Sequence, residues 1–181
     1  MNIVTLLIGG NQSLRRSRPE GATCLSRRRL IEQATEQIRQ RIGSVVALSA
    51  IHETEPWGEF ETENGEQRTE NFLNQALLVE TPLTAHEVLH EALAIEAELG
   101  RKRSLQSKAY QSRTMDIDLI FFNDEVIDDP DLQIPHPRMQ LRRFVLEPLS
   151  EILPDYRHPL LGHTVKQLLD ALDGNESTKK A

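Results

Sequence analysis

The sequence predicts an α+β fold with a ferredoxin-like βαββαβ core, in which helices cover a mainly antiparallel sheet. The first observation is the order of the periodic segments, which is strand, helix, strand, strand, helix, strand. The second is the mixture of these strands with two long helices, which suggests a mainly antiparallel sheet covered by helices. At 181 residues we expect one domain over residues 1–172 and a polar, frayed tail over 173–181.

The N-terminal part of the chain predicts a strand and a helix. Residues 3–8 are apolar and β-branched and run into Gly9-Gly10-Asn11, which indicates a buried strand followed by a glycine turn. Residues 12–25 are polar and predict a loop. Ser26 is a suitable N-cap for a helix over residues 27–42, whose apolar side chains recur at helical spacing.

The middle of the chain predicts two strands and a second helix. Residues 45–54 form a strand pattern that Pro56 ends, because proline cannot donate to a sheet ladder. The acidic residues 59–70 predict a long loop, of the kind that often forms a binding loop or lid. Residues 71–80 predict the next strand. Thr84 then begins a helix, since a glutamate three residues later gives capping-box spacing.

The C-terminal part predicts the last core strand and two further helices. Residues 112–122 read as a central strand, because they become apolar on both faces. A small hairpin is expected around residues 128–131. A helix over residues 142–151 should be kinked or interrupted at Pro148, and a further helix is expected over residues 165–169.

Two carboxylates stand at the start of that last strand. Asp116 and Asp118 project from the same face, about 7 Å apart, because successive side chains on a strand alternate between faces. The other face is expected to carry Met115, Ile117, Leu119 and Phe121. Carboxylates at the edge of a core are costly unless a cation meets them. Mg²⁺ is one candidate, and a pair of solvated acids facing arginine is the alternative.

Charge is distributed unevenly along the chain. The formal net charge is −7, which argues against general nucleic-acid binding, yet residues 101–113 carry Arg101, Lys102, Arg103, Lys108 and Arg113. A basic loop that leads into an acidic pair suits a metal–polyphosphate ligand, and a solvated loop is the alternative.

Composition also constrains the compartment. Cys24 is the single cysteine, so no internal disulfide framework is possible and a reducing compartment is expected. The N-terminus shows no signal-peptide pattern, and no apolar run approaches the length of a membrane span. We therefore expect a cytoplasmic protein without membrane or nucleic-acid partners, and a monomer is compatible with the sequence.

Four clusters, taken together and in order, resemble the 6-hydroxymethyl-7,8-dihydropterin pyrophosphokinase family. They are Gly9-Gly10-Asn11, Thr54-Glu55-Pro56-Trp57-Gly58 with Phe72-Leu73-Asn74, residues 101–118, and residues 134–139 with Arg142-Arg143-Phe144. Ser112-Arg113-Thr114-Met115-Asp116-Ile117-Asp118 is similar to the family pattern P/S-R-x-I/L/M-D-I/L/V-D. Ile134-Pro135-His136-Pro137-Arg138-Met139 is similar to V/I-P-H-x-x-M/L, which R-x-F follows. The resemblance spans residues 3–170.

The resemblance implies transfer of a pyrophosphoryl group from ATP to the hydroxymethyl oxygen of the pterin, with AMP as leaving group, in folate biosynthesis. It implies two Mg²⁺ ions on Asp116 and Asp118. It assigns catalytic roles to these aspartates and to Arg101, Arg103 and Arg113. Contacts with ATP are implied for Arg101, Arg103, Tyr110, Arg113, Ile117, His136 and Arg142.

The pterin ring is flat and edged with donors and acceptors, so it requires aromatic stacking and an amide. The resemblance assigns the stacking pair to Phe72 and Phe144, and the edge contacts to Asn74, Thr54, Pro56 and Trp57. The departures from the family are Gly10, where the family usually has serine, and a longer, more basic segment over residues 12–25. Two alternatives stay open: another metal-dependent phosphotransferase or nuclease, and a non-catalytic pterin- or nucleotide-binding protein.

Overall fold

The computed structural model of the chain describes residues 1–18, 21–55, 70–101 and 114–178. The strands are β1 (Asn2–Gly10), β2 (Leu14–Arg18), β3 (Gly21–Leu25), β4 (Ser44–Leu48), β5 (His52–Thr54), β6 (Phe72–Thr81), β7 (Asp116–Phe122), β8 (Ile127–Asp128) and β9 (Gln133–Ile134). The helices are α1 (Arg27–Arg41), α2 (Ala85–Glu98), a 3₁₀ turn (Met139–Leu141), α3 (Arg143–Ile152) and α4 (Val165–Thr178).

The main sheet has the order β4–β6–β1–β7, with β5 also paired to β6, and every pairing is antiparallel. Helix α1 connects β1 to β4, and α2 connects β6 to β7. This arrangement confirms the predicted α+β, ferredoxin-like core.

Each face of the sheet is covered by its own pair of helices. On one face, α1 and α2 bury the larger apolar cluster, which includes Leu6, Ile38, Leu77 and Ile95. On the other face, α3 and α4 bury a second cluster around Leu7, Ala76, Phe121, Leu146 and Val165. Two buried faces explain why β1 and β6 are nearly continuous apolar runs rather than alternating patterns.

The predicted helix starts are confirmed. The side chain of Ser26 accepts a hydrogen bond from the backbone N–H of Arg29 and so caps α1. Thr84 and Glu87 form both hydrogen bonds of a capping box at the start of α2. These caps satisfy backbone donors that have no partner inside the helix.

The prediction of a loop over residues 12–25 was wrong. The segment contains the antiparallel hairpin of β2 and β3, in which Leu14 lies opposite Leu25. Both leucines are half-buried against the larger apolar cluster, so tertiary packing holds the open end of a hairpin whose local composition is polar.

The predicted strand over residues 45–54 is divided into β4 and β5. The division lies at Ser49, whose hydroxyl accepts from the backbone N–H of Ala76 at 2.9 Å and donates to the carbonyl of Ala50 at 2.7 Å. A side chain thereby replaces one bond of the backbone ladder. The strand bends at this point and resumes as β5.

Two expectations for β7 were also wrong. Among the described strands β7 is an edge strand, not a central one, and its outer edge is covered where the backbone N–H of His136 donates to the carbonyl of Ile120 at 3.0 Å. In addition, the register with β1 shifts, because Leu6 pairs with Leu119 whereas the preceding residue of β1 pairs with Phe121. This bulge moves Phe121 into the second cluster, away from the face that it was predicted to share with Leu119.

The C-terminal elements follow the prediction in type more closely than in length. Strands β8 and β9 form the expected small hairpin. Helix α3 continues through the buried Pro148 without the predicted interruption. Helix α4 begins at Val165 but extends to Thr178, past its predicted end at residue 169 and into the segment predicted as a tail. None of the described helices is long and apolar enough to cross a membrane.

Candidate functional site

Asp116 and Asp118 are the first and third residues of β7. Their side chains are 18% and 33% exposed, so both are reachable from solvent although the strand between and beyond them is buried. They line a cavity of about 350 Å³ together with residues of α2 and the β8–β9 region. Its apolar walls come from Leu89, Leu93, Leu119 and Leu132.

A buried acid on α2 organises the entrance to this cavity. The side chain of Glu96 is almost fully buried, and its Oε1 accepts from the backbone N–H of Ile117 at 2.8 Å and from Nη1 of Arg101 at 2.5 Å. The same Arg101 nitrogen contacts Asp116. Although burial acts to lower the pKa of Arg101, the Asp116 and Glu96 carboxylates raise it, so the guanidinium stays charged.

His136 stands beside the second aspartate. Its Nε2 is 3.9 Å from Oδ1 of Asp118, and within the described part of the chain its buried Nδ1 has no hydrogen-bond partner. Burial lowers the pKa of His136, and the nearby Arg142 lowers it further, so the imidazole is neutral at pH 7. The Arg142 guanidinium carbon lies 6.0 Å from the centre of the Phe144 ring. A neutral imidazole beside a carboxylate can donate to a phosphate oxygen without removing a proton from substrate.

The donor set at this end of β7 fits a hard divalent cation. Four described carboxylates (Glu96, Asp116, Asp118 and Asp131) line the cavity, and Arg101 contacts two of them, Glu96 and Asp116. Across the described ranges, no group of three or more His, Cys, Asp or Glu side chains is arranged to hold a metal. Two carboxylates suffice for Mg²⁺, which commonly keeps water and phosphate oxygens as its other ligands.

A second polar cluster lies on β6, two strands away from β7, and on the neighbouring β5. The side chain of Asn74 is buried, and its Nδ2 donates to Oγ1 of Thr54 at 3.0 Å. Asn74 is the register partner of Gly9 on β1, and Gly9 is in turn the register partner of Asp116 on β7. The amide, the glycine and the first aspartate therefore form one row across three adjacent strands.

Gly9 fits this row only because it lacks a side chain. A Cβ at this position would lie 2.5 Å from Oδ1 of Asn74 and 2.7 Å from the carbonyl oxygen of Leu73. The row Asn74–Gly9–Asp116 is thus held by a close approach that a larger residue would break.

The aromatic residues predicted to stack lie around the same end of the sheet. Phe72 is the first residue of β6 and is the register partner of Thr54 on β5. Phe144 lies in the first turn of α3 and packs against the second apolar cluster. Both rings are half-buried. The structure therefore groups Thr54, Phe72 and Asn74 on paired strand ends, and places Phe144 on the covering helix.

Five of the predicted site residues lie outside the described residues and remain predictions: Pro56, Trp57, Arg103, Tyr110 and Arg113. Sequence reasoning missed Glu96 and the requirement for glycine at position 9. Glu96 could have been found, because it falls within the apolar stripe of α2, one residue after the buried Ile95 and four after the buried Ala92. A glutamate is almost never fully buried unless it is paired, so an acid within this stripe indicates a buried polar contact. The contact of Gly9 depends on pairing between distant strands and had no local signal.

Comparison with known proteins gives consistent matches over most of the chain. The family described as 7,8-dihydro-6-hydroxymethylpterin-pyrophosphokinase (HPPK) matches residues 20–154. A curated relative from Porphyromonas gingivalis, named 2-amino-4-hydroxy-6-hydroxymethyldihydropteridine pyrophosphokinase, is 36% identical over 160 residues, which are 88% of this chain and 95% of the relative. A relative of the same name from Bacillus subtilis is 38% identical over 133 residues, covering 73% of this chain and 74% of its own.

Solved structures agree in fold. The HPPK-DHPS protein of Plasmodium falciparum, solved as wild type with pteroate, superposes with a TM-score of 0.73 at 16% identity over 99% of this chain. Its triple mutant with STZ-DHP gives a TM-score of 0.72 at 18% identity over 98% of this chain. The present chain covers 46% and 44% of those solved chains, so it spans less than half of their length.

Proposed function

This chain belongs to the 7,8-dihydro-6-hydroxymethylpterin-pyrophosphokinase family, and we propose that it transfers the pyrophosphoryl group of ATP to 6-hydroxymethyl-7,8-dihydropterin in folate biosynthesis. The hydroxymethyl oxygen attacks the β-phosphorus, the bond from that phosphorus to the α,β-bridging oxygen breaks, and AMP leaves with that oxygen. The hydroxyl proton is released to solvent. The products are the pterin diphosphate and AMP.

The observation that carries this proposal is the row Asn74–Gly9–Asp116. It joins an amide suited to a heterocycle edge with a carboxylate suited to a metal–phosphate complex, on three strands whose backbones are hydrogen-bonded to one another. A ligand that must be held at both a flat ring and a phosphate chain suits such a site. Phosphoryl transfer is catalysed mainly by positioning and charge stabilisation, which a rigid sheet supplies.

The nucleotide binds in the cavity beside β7. A volume of about 350 Å³ with leucine side chains on its walls suits a purine ring. Asp116, Asp118 and His136 line the same cavity, and so would meet the phosphates. Contacts with ATP are assigned to Arg101, Arg103, Tyr110, Arg113, Ile117, His136 and Arg142, of which Ile117 lies between the two aspartates.

Asp116 and Asp118 hold two Mg²⁺ ions in this proposal. The ions, when bound, neutralise phosphate charge and orient the triphosphate for in-line displacement. Arg101, Arg103 and Arg113 stabilise the charge that develops on the transferred group, and guanidinium groups suit phosphate oxygens because they donate in pairs. Arg101 contacts Asp116 and Glu96 in the present structure, so it is held within reach of the phosphates before they bind.

The pterin lies at the other end of the row. Phe72 and Phe144 stack on its two faces, while Asn74 and Thr54 contact its polar edge. The hydrogen bond between Asn74 and Thr54 fixes the orientation of the amide, and so supports recognition of one arrangement of donors and acceptors. Pro56 and Trp57 are assigned to the same edge.

We also infer that the enzyme acts in the cytoplasm, with its catalytic domain over residues 1–172. The single cysteine and the acidic net charge support a reducing compartment without a nucleic-acid partner.

The direct test is incubation of the purified protein with Mg-ATP and 6-hydroxymethyl-7,8-dihydropterin, followed by separation of the nucleotide and pterin products. Equimolar AMP and pyrophosphorylated pterin are expected. ADP would indicate ordinary phosphoryl transfer, and a folded protein that binds pterin but consumes no ATP would favour the binding-protein alternative. The matched controls are Asp118→Asn, which should lose turnover, and Asp155→Asn, an exposed carboxylate outside the site that should keep it.

A further inference from the structure

The carboxylate of Glu151, near the C-terminal end of α3, binds the segment that leads into β5. Glu151 Oε2 accepts from the backbone N–H of Ala50 at 2.7 Å, and its Oε1 lies 2.7 Å from Nε2 of His52. Both oxygens of one side chain are therefore used on two positions of the same segment. We call these three residues (Ala50, His52 and Glu151) the Glu151 clamp.

The clamp connects the two structural units that carry the pterin residues. His52 is the register partner of Asn74, and two residues later Thr54 pairs with Phe72 and accepts from Asn74. Glu151 lies on the same helix as Phe144, which is in the first turn of α3, two helical turns earlier. The clamp thus connects the strands that carry Thr54 and Asn74 to the helix that carries Phe144.

The segment that Glu151 binds, residues 50–52, has few backbone hydrogen bonds to the rest of the sheet. The strand is interrupted between β4 and β5, and among the described strands β5 pairs with β6 alone, over three residues. Ser49 on one side of the interruption is fixed to β6 through its hydroxyl and through its carbonyl, which accepts from Gln75 Nε2 at 2.8 Å. The backbone N–H of Ala50, the next residue, donates to a side chain of α3 instead. Glu151 therefore links the segment that leads into β5 directly to α3.

The Glu151 carboxylate can accept these hydrogen bonds at neutral pH because it is ionised there. The hydrogen bond from the Ala50 N–H lowers the pKa of Glu151, and the His52 side chain lowers it further. The Glu151 side chain consequently stays ionised at pH 7, with one oxygen toward the Ala50 N–H and the other toward His52. Charge-assisted hydrogen bonds of this kind are shorter and stronger than neutral ones.

We infer that Glu151 and His52 are positioning residues for the pterin, which fix β5 against α3 so that Thr54 and Asn74 face the ring held by Phe144. Neither residue contacts the reacting atoms. The inference rests on the proposed function, because it assigns the pterin to this site. It predicts a selective effect on pterin binding, while the nucleotide cavity beside β7 is unaffected.

The test is calorimetric titration of the pterin into protein saturated with Mg²⁺ and a non-hydrolysable ATP analogue, together with steady-state kinetics. Glu151→Ala is expected to weaken pterin binding and raise the pterin KM about tenfold, with a smaller change in kcat and unchanged affinity for the analogue. Glu151→Gln retains an oxygen that accepts from Ala50 and should recover most of the affinity. His52→Phe removes one contact and should give an intermediate loss.

Glu147→Ala is the matched control. Glu147 lies one turn earlier on α3 and pairs with Arg143 of the same helix at 2.7 Å, so its loss removes a carboxylate without loosening β5. Pterin affinity should be unchanged in this variant. An equal loss in Glu147→Ala and Glu151→Ala would overturn the inference, since it would show a general effect on α3.

The remaining outcomes are also decisive. Wild-type pterin affinity in a folded Glu151→Ala protein would overturn the inference while leaving the proposed function intact. If Glu151→Ala does not fold, His52→Phe decides, and wild-type affinity in that variant would equally overturn it. Failure of the wild-type protein to bind the pterin at all would instead refute the proposed function.

Discussion

Substitution of Gly9 by alanine tests whether the row Asn74–Gly9–Asp116 depends on close packing. The new Cβ would lie 2.5 Å from Oδ1 of Asn74 and 2.7 Å from the carbonyl oxygen of Leu73, whereas ordinary contacts begin near 3.4 Å. The Asn74 side chain would have to retreat by about 0.9 Å, and the Leu73 carbonyl belongs to a strand that is paired on both sides. Relief therefore comes mainly from displacement of the amide.

Two consequences of different size are expected. Overpacking of this kind costs about 1–3 kcal/mol of unfolding free energy, and each kcal/mol lowers the Tm of a chain of this length by about 2–4 °C. Displacement of Asn74 also strains its 3.0 Å hydrogen bond to Thr54 and misaligns the group assigned to the pterin edge. Loss of one such buried contact corresponds to a fall of about tenfold or more in pterin affinity.

The assay combines urea unfolding with pterin titration in the presence of the ATP analogue. Gly43→Ala is the matched control, because its Cβ would also meet a backbone carbonyl of β6, that of Glu80, at the opposite end of the strand. This control should lose stability and keep wild-type pterin affinity. If Gly9→Ala showed wild-type stability and affinity, or if both variants lost pterin affinity equally, the packing argument would be refuted.

Three further predictions concern the metal site, the strand interruption and acid stability. Asp118→Asn should reduce turnover by at least about a hundredfold with little change in the urea midpoint, because the side chain is only half-buried, near the start of β7; near-normal turnover would exclude Asp118 as a metal ligand. Ser49→Ala should lower the free energy of unfolding by about 1–3 kcal/mol, because it leaves the buried Ala76 N–H without its acceptor; an unchanged urea midpoint would contradict this. Burial lowers the pKa of His158, whose Nδ1 accepts from two backbone N–H groups at 3.3 Å, so the unfolded chain binds the proton more readily. Stability should thus fall as pH drops below about 6.5, and His158→Asn, which keeps an acceptor, should show a smaller fall in the urea midpoint.

The core topology could be predicted from the sequence because its signals are local. Periodicity gave α1 and α2, and the caps at Ser26 and Thr84 gave their starts. The alternation at the start of β7 correctly predicted that Asp116 and Asp118 lie at the beginning of a strand. In each case the physical cause lies within a few residues of the feature.

The errors share a different cause, which is contact between distant segments. The hairpin β2–β3 is held by Leu14 and Leu25 against the core, and nothing in its polar local sequence requires a strand. The bulge that turns Phe121 to the other face arises from the register of β7 on β1. The position of β7 at an edge is likewise a property of the assembled sheet, since apolar composition reports burial and not strand order.

The row across β6, β1 and β7 also fixes the distance between its two ends. Neighbouring strands are about 4.8 Å apart, so two strand spacings separate the backbone of Asn74 from that of Asp116 by about 10 Å. This length is set by main-chain hydrogen bonds, which substitutions or insertions in the surrounding loops leave unchanged. Changes in those loops would therefore keep the same separation between the two ends that we propose bind the ring and the phosphates. A new reaction on this scaffold would be restricted to ligands whose two recognised parts match that interval.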